Sequence, residues 1–161
     1  MNYFSYMETK IVQCDYSNSE HRKAVTMLIN EYIRDEMGGG TLLSEPEQAD
    51  LVEGLKNHPK ALVLLAETEN IFTGMLTAFE NFSTFTARPM MNIHDVMVLE
   101  TYRKKGIGRS LMNALIEEAG KRNCSRVTLE VRKDNLPAQK LYRDLGFHEL
   151  EPDMFYWRKY L

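Results

Sequence analysis

Arg103-Lys104-Lys105-Gly106-Ile107-Gly108-Arg109-Ser110 sets four cations and two glycines between a segment with strand-like alternation and one with helical apolar spacing. Glycine lets the backbone turn so that successive amides point into one concavity. The positive end of the helix macrodipole behind them adds to the attraction for an anion. The stretch reads as a diphosphate-binding turn, and the alternative is a plain basic helix start. It lacks the G-x-x-x-x-G-K-[ST] spacing of a P-loop, and Leu111 stands where a dinucleotide fingerprint has its third glycine.

Outward from the turn, Met91 to Leu99 reads as the preceding strand. Gly106 to Arg122 reads as a helix with Ile107, Leu111, Leu115 and Ala119 inward, and Arg126 to Val131 as the next strand. Upstream, Lys10 to Cys14 is a short strand, and Ser17 and Glu20 have the spacing of a capping box. The helix after it carries Val25, Leu28, Ile29 and Tyr32 on one stripe and stops at Gly38-Gly39-Gly40. Ser44, Pro46 and Glu47 open a second helix with Leu51, Val52 and Leu55 inward. Ala61 to Glu67 and Ile71 to Phe79 form a hairpin about Asn70, and Phe82, Phe85 and Pro89 follow in a loop. Downstream, Asn135 caps a helix with Pro137 in its first turn and Gly146 at its end, and Phe147 to Leu150 and Met154 to Tyr160 close the chain as strands. The fold class is α/β (α+β), a mixed central sheet of about six to seven strands flanked by about four helices.

Nothing in the composition opposes one domain over residues 1–161, with 43% apolar and 27% charged residues and no repeat or linker. The longest apolar run, Ala61 to Ala66, falls far short of the roughly 20 residues that span a membrane, and no leader opens the sequence. Cys14 and Cys124 are too few for a disulfide framework, so a cytoplasmic protein is expected, and no Cys/His cluster has metal-ligand spacing. The net charge of −3 argues against nucleic acid as a partner. That sum hides an asymmetry: residues 101–143 hold eleven Lys and Arg against four Asp and Glu, while the rest of the chain is acidic. A basic third suits an anionic ligand, and an acidic remainder suits a cationic one.

The segment Val96 to Gly108, above all Arg103-x-x-Gly106-x-Gly108, resembles the Q/R-x-x-G-x-G/A signature of the GCN5-related N-acetyltransferase (GNAT) superfamily. Asn135-x-x-Ala138-x-x-x-Tyr142-x-x-x-Gly146-Phe147 resembles the superfamily's next motif, in the expected helix-then-strand setting. The resemblance implies a GNAT-like sheet and acetyl-CoA as cofactor. It implies that the strand before the turn splays from its neighbour, leaving backbone groups of Met97, Val98 and Leu99 for the pantetheine arm. The amides of Lys104, Lys105, Gly106, Ile107, Gly108, Arg109 and Ser110 then face the diphosphate, with Arg103, Lys140, Asn135 and Ala138 beside the cofactor. Glu100 departs from the pattern, since a proline is frequent there.

The implied reaction is transfer of acetyl to a primary amine by direct attack in a ternary complex. An amine must lose its charge to attack a thioester, the developing oxyanion needs an amide donor, and the departing thiolate benefits from a proton. By resemblance the donor is Met97 or Val98 and the acid is Tyr142. For the base, alternation puts Asn92, His94 and Val96 on one face and Ile93, Asp95 and Met97 on the other. His94 can relay a proton near neutrality. Asp95 is its rival and Glu130 a third candidate.

GNAT acceptor sites are built from the first two helices with their junction and from the loop before the central strand. Here these hold Asp35, Met37 and Gly38, then Phe82, Ser83 and Phe85, with Asn92 on the strand itself. Three glycines suit a lid, and Asp35, Glu36 and Glu80 suit an ammonium, so the expected partner is a small-molecule amine. Phe155 and Trp157 alternate with Tyr156 in the final strand, which could mark a homodimer edge or an ordinary core strand. The rival readings are a non-catalytic acyl-CoA-binding sensor or interaction domain, and a Rossmann-type oxidoreductase, which the absent third glycine weakens.

Overall fold

Glu69 and Asn70 take up left-handed backbone conformations, φ 52° and 64°, and so make the tight turn between two strands, β2 (Ala61–Thr68) and β3 (Ile71–Ser83). This is the hairpin expected about Asn70. A computed structural model describes residues 8–152 and 154–161. The remaining elements are β1 (Thr9–Gln13), α1 (Ser19–Arg34), α2 (Glu45–Asn57), β4 (Arg88–Val98), α3 (Ile107–Lys121), β5 (Val127–Leu129) and α4 (Leu136–Asp144). The sheet has the order β1-β2-β3-β4-β5, antiparallel throughout except for the β4–β5 pair, which α3 connects as a crossover. The mixed sheet with four helices is the expected architecture. No helix among the described residues is long and apolar enough to cross a membrane.

The alternation of β2 and β3 loads both faces of the sheet. On one, Val63, Leu65, Met75 and Met97 meet Val25 and Leu28 of α1, with Leu51 and Leu55 of α2 at the margin. Burying one such leucine stabilises the fold by about 1.5–3 kcal/mol. α3 packs on β2, β3 and β4 through a stripe of Ile107, Leu111, Met112, Leu115 and Ala119, all buried. Gly74 permits the close approach of β3 to β4, because a Cβ there would stand 2.9 Å from the Met97 carbonyl oxygen and 3.3 Å from Leu111.

Several expectations need correction. Five strands are present among the described residues, rather than six or seven: residues 147–150 and 154–160 have no regular structure. Aromatic residues suit a strand only where a neighbour supplies the ladder, and Phe155 and Trp157 are exposed. Residues 80–83 are not loop but the end of β3, paired with 88–91, so Phe82 stands opposite Pro89 and the loop shrinks to 84–87. The cap of α1 is Asn18, whose side chain accepts from the Glu20 amide, and Ser17 instead donates to Asp15. α1 stops at Arg34, before the glycines. The box at Ser44 and Glu47 forms as expected.

The chain divides into two compact units, Met1–Glu130 and Val131–Leu161. In the second, the Asn135 side chain accepts from the Ala138 amide at 3.2 Å and starts α4. Gly146, at φ 87°, follows the helix, and the Phe147 amide returns to the Tyr142 carbonyl at 3.0 Å.

Candidate active site

Leu99, which ends the run after β4, donates its amide to the Thr73 carbonyl of β3 at 2.9 Å. A short 3-10 turn over Glu100–Tyr102 then leads to Lys104 and Gly106, both left-handed at φ 62° and 85°. Gly106 is the N-cap of α3 and, having no side chain, leaves the amides of the first turn uncapped. They stand ready for an anion at the positive end of a 15-residue helix. The space beside Gly106 is open, with no atom within 4 Å of where a Cβ would lie. Around it, Lys105 lies over the Tyr102 ring at 4.8 Å, and the Ser110 hydroxyl donates to the Gly106 carbonyl at 3.3 Å.

Beside the turn, the sheet opens. β4 and β5 pair only over Met91–Ile93 opposite Val127–Leu129, and no β5 ladder continues along His94–Val98. Since Leu99 points its amide at β3, alternation turns Met97 to β3 and Val98 to the vacated side. Of the two expected amide donors, Val98 is therefore the one on the open edge. Its carbonyl accepts from Arg103 Nε at 3.0 Å. An uncapped helix start and an open strand edge fit a ligand with a diphosphate at one end and an extended polar arm.

Two of the three candidate bases, His94 and Asp95, stand on β4. Ile93 pairs with Ala78 and Asp95 with Thr77, so His94 is an extra residue between them, a β-bulge. The expected alternation fails there: Asp95 shares a face with His94, and His94 Nδ1 stands 3.5 Å from Asp95 Oδ2. Burial holds the Asp95 carboxyl above the usual carboxylate range, and His94 beside it works the other way. Glu130 lies exposed just past β5.

On the expected acceptor side, most polar groups have partners within the protein. Asp35 pairs with Arg103, which holds its carboxyl below the usual range, and its other oxygen accepts from the Met37 amide at 2.9 Å. The glycine loop is tied at its start rather than loose: the Gly38 amide donates to the Asp35 carbonyl at 3.0 Å and Gly39 to Ile33 at 3.2 Å. Glu80 is held by Lys60 and by Arg122. Ser83 is buried and accepts from Arg126 at 3.2 Å, and Asn92 donates to Thr128 Oγ1 at 3.0 Å. Phe82 and Phe85 are exposed beside and in the hairpin loop. In the second unit, the partly buried Tyr142 ring tilts against Phe147 with centroids 6.1 Å apart, and Lys140 pairs with Asp144 at 3.2 Å. The Arg103–Asp35 pair and the His94 bulge were not foreseen, because neither leaves a local pattern in sequence.

The chain is similar to known acetyltransferases in sequence and in fold. The [ribosomal protein bS18]-alanine N-acetyltransferase of Escherichia coli strain K12 is 40% identical over 57 residues, 35% of this chain and 38% of that one. An N-alpha-acetyltransferase of Sulfurisphaera tokodaii is 35% identical over 107 residues, 62% of this chain and 64% of its own. The matches thus span less than two thirds of either relative. The structure of AAC(6')-Iy in complex with the bisubstrate analog CoA-S-monomethyl-acetylneamine superposes with a TM-score of 0.75 over 94% of this chain and 99% of that one, at 17% identity, a likeness of fold. Residues 25–147, well over half of the chain, match the acetyltransferase (GNAT) family as a whole, and the chain belongs to that family.

Proposed function

We propose that the protein is an N-acetyltransferase that moves an acetyl group from acetyl-CoA to a primary amine of a small molecule, by direct attack in a ternary complex. One observation carries the reading: the uncapped start of α3 after Gly106 lies beside the β4 edge left open beyond Ile93. The first suits a diphosphate and the second an arm bound through backbone hydrogen bonds, which is the layout of coenzyme A. When bound, acetyl-CoA supplies the thioester carbonyl and the thiolate leaving group. The Val98 amide is suited to donate to the oxygen on which charge develops. His94, two-thirds exposed on β4, is suited to take the proton from an incoming ammonium. Tyr142 is assigned as the acid on its place in the second sequence motif. Its phenol would give its proton to the departing thiolate; with an ordinary pKa of ~10 against ~8.5 for a thiol, that transfer requires the thiolate to stay bound beside it and the phenol to be tuned by its surroundings.

Thiol release from acetyl-CoA, followed with a pooled panel of small amines and with peptides bearing a primary amino terminus, tests the reading. Turnover with one or more small amines and a matching mass gain on the amine is expected. Binding of coenzyme A without thiol release from any amine or peptide would make the domain a sensor, and turnover of peptides alone would move the acceptor to a polypeptide terminus. Tyr142→Phe is expected to lower turnover at least tenfold with coenzyme A affinity unchanged.

A further inference from the structure

We infer that Asp95 is a positioning residue for His94: it holds the imidazole through Nδ1, so that Nε2 is the atom presented to the acceptor amine. The inference rests on the acetyl-transfer reading above. Neighbours along a strand normally point to opposite faces, so adjacent His and Asp side chains do not meet. Here they do, because the ladder steps from Ala78–Ile93 to Thr77–Asp95 and leaves His94 as the bulged residue. Thr77 lies across from Val63, which packs with Val25 and Leu28 of α1, so the pair stands on the α1 face of the sheet.

The pair is built unequally, as a positioner and its working partner should be. Asp95 is the inner member, with 21% of its side chain exposed, beside the buried Thr77. His94 is the outer member at 67%, reachable by an amine. Its ring is steadied on a second side by Phe79, edge to face with centroids 5.8 Å apart and planes at 87°. Phe79 in turn is met by His58, at 4.9 Å, from the connection between α2 and β2. The charge acting on Asp95 is that of His94 itself. With an ionised carboxylate at Nδ1, that nitrogen carries the hydrogen and Nε2 keeps its lone pair. A substrate ammonium then gives its proton to Nε2: one N–H bond breaks, one Nε2–H bond forms, and the amine nitrogen gains the lone pair that attacks. The imidazolium formed faces the carboxylate and returns its proton to water.

Two measurements test this. The first uses ring nitrogen shifts of His94 in the ligand-free protein at a pH where the ring is neutral. The Nδ1–H form is expected in the wild type, with a return to the Nε2–H form in Asp95→Ala. The second uses the best amine from the thiol-release panel. Asp95→Ala and the shape-conserving Asp95→Asn are expected to lower kcat at least tenfold with the KM for acetyl-CoA unchanged, and adding His94→Gln to either to cost less than threefold more. A wild-type ring in the Nε2–H form overturns the inference, as does unchanged kcat in both Asp95 variants, or losses at the two positions that multiply. Failure of the wild type to turn over any amine would instead sink the acetyl-transfer reading, while the nitrogen shifts would still report whether the pair exists.

Discussion

Arg103, at the mouth of the turn before α3, reaches back to Asp35 just beyond α1, and the same guanidinium holds the Val98 carbonyl at 3.0 Å. One side chain thus fixes the end of the first helix, the last residue of β4 and the entrance to the turn. Surface ion pairs contribute little as a rule, but a guanidinium that bonds a carboxylate and a carbonyl together is better placed. Arg103→Gln and Asp35→Asn are each expected to destabilise the protein by about 1 kcal/mol, and the double variant by distinctly less than the sum. Urea unfolding of the four proteins measures that coupling. The folded Asp35 pKa is lowered, so its contribution is complete above the ordinary Asp pKa of ~3.9 and disappears as pH falls through the lower folded value. The coupling should therefore persist at pH 7 and vanish in strong acid.

Asp95 has the opposite sign. Burial raises its pKa, so the folded protein holds this proton more tightly than the unfolded chain does. Its ionisation penalises the fold: the contribution is favourable below pH ~3.9 and is lost as pH rises through the raised folded value. Asp95→Asn should accordingly raise Tm at pH 7, with the gain shrinking to nothing near pH ~3. Calorimetry across that range checks it. A lower Tm for the variant at pH 7 would mean that the pairing with His94 outweighs the burial. The expected gain in stability, together with the loss of kcat argued above, is the signature of a site kept under strain for function.

Most of the first unit could be read from residues alone, for reasons of period. α1 and α3 each repeat apolar residues at helical spacing, and β2 and β3 flank a turn whose residues accept positive φ. The turn before α3 was legible because glycine and cations at a strand-to-helix junction are local features. What escaped depends on neighbours. The bulge at His94 arises from the register between two strands, and no property of Asn92 to Asp95 announces it. Asp35 and Glu80, read as attractants for an ammonium, are already neutralised by Arg103, Lys60 and Arg122 from distant parts of the chain. Of the two closing strands expected, over 147–150 and 154–160, the second carries alternating aromatics, a pattern that measures fitness for a sheet and not the presence of one.

Gly38 and Gly39 are adjacent but should respond differently to alanine. A Cβ on Gly38 would fall 1.9 Å from the Tyr32 carbonyl oxygen, so the loop after α1 must shift, and the bonds from Gly38 to Asp35 and from Gly39 to Ile33 shift with it. At Gly39 the space is open and only the backbone objects, with φ at 84°. Gly38→Ala should destabilise by about 3 kcal/mol, as overpacking against backbone does, and Gly39→Ala by about 1–2 kcal/mol for the left-handed conformation. Denaturant midpoints for the pair decide the point, and equal effects would mean that this loop relaxes freely around an added methyl.

Gly106 separates stability from binding. It is left-handed at φ 85° with nothing near the Cβ position, so Gly106→Ala meets no clash and should destabilise the ligand-free protein by about 1–2 kcal/mol. The amides that follow it belong to α3, and their direction depends on the turn that Lys104 and Gly106 make together. If those amides hold a diphosphate, a small backbone rotation at Gly106 spoils several hydrogen bonds to the anion at once. Coenzyme A affinity, measured by titration calorimetry, should then fall at least tenfold in Gly106→Ala. Gly120→Ala, lying within α3 near its far end and with no neighbour within 4 Å of its Cβ position, should bind as the wild type does. Because phosphate recognition is electrostatic, the loss should be smaller for pantetheine, which carries no phosphate and would bind along the β4 edge without the turn. Equal affinity of Gly106→Ala and wild type for coenzyme A would remove the turn from the binding site.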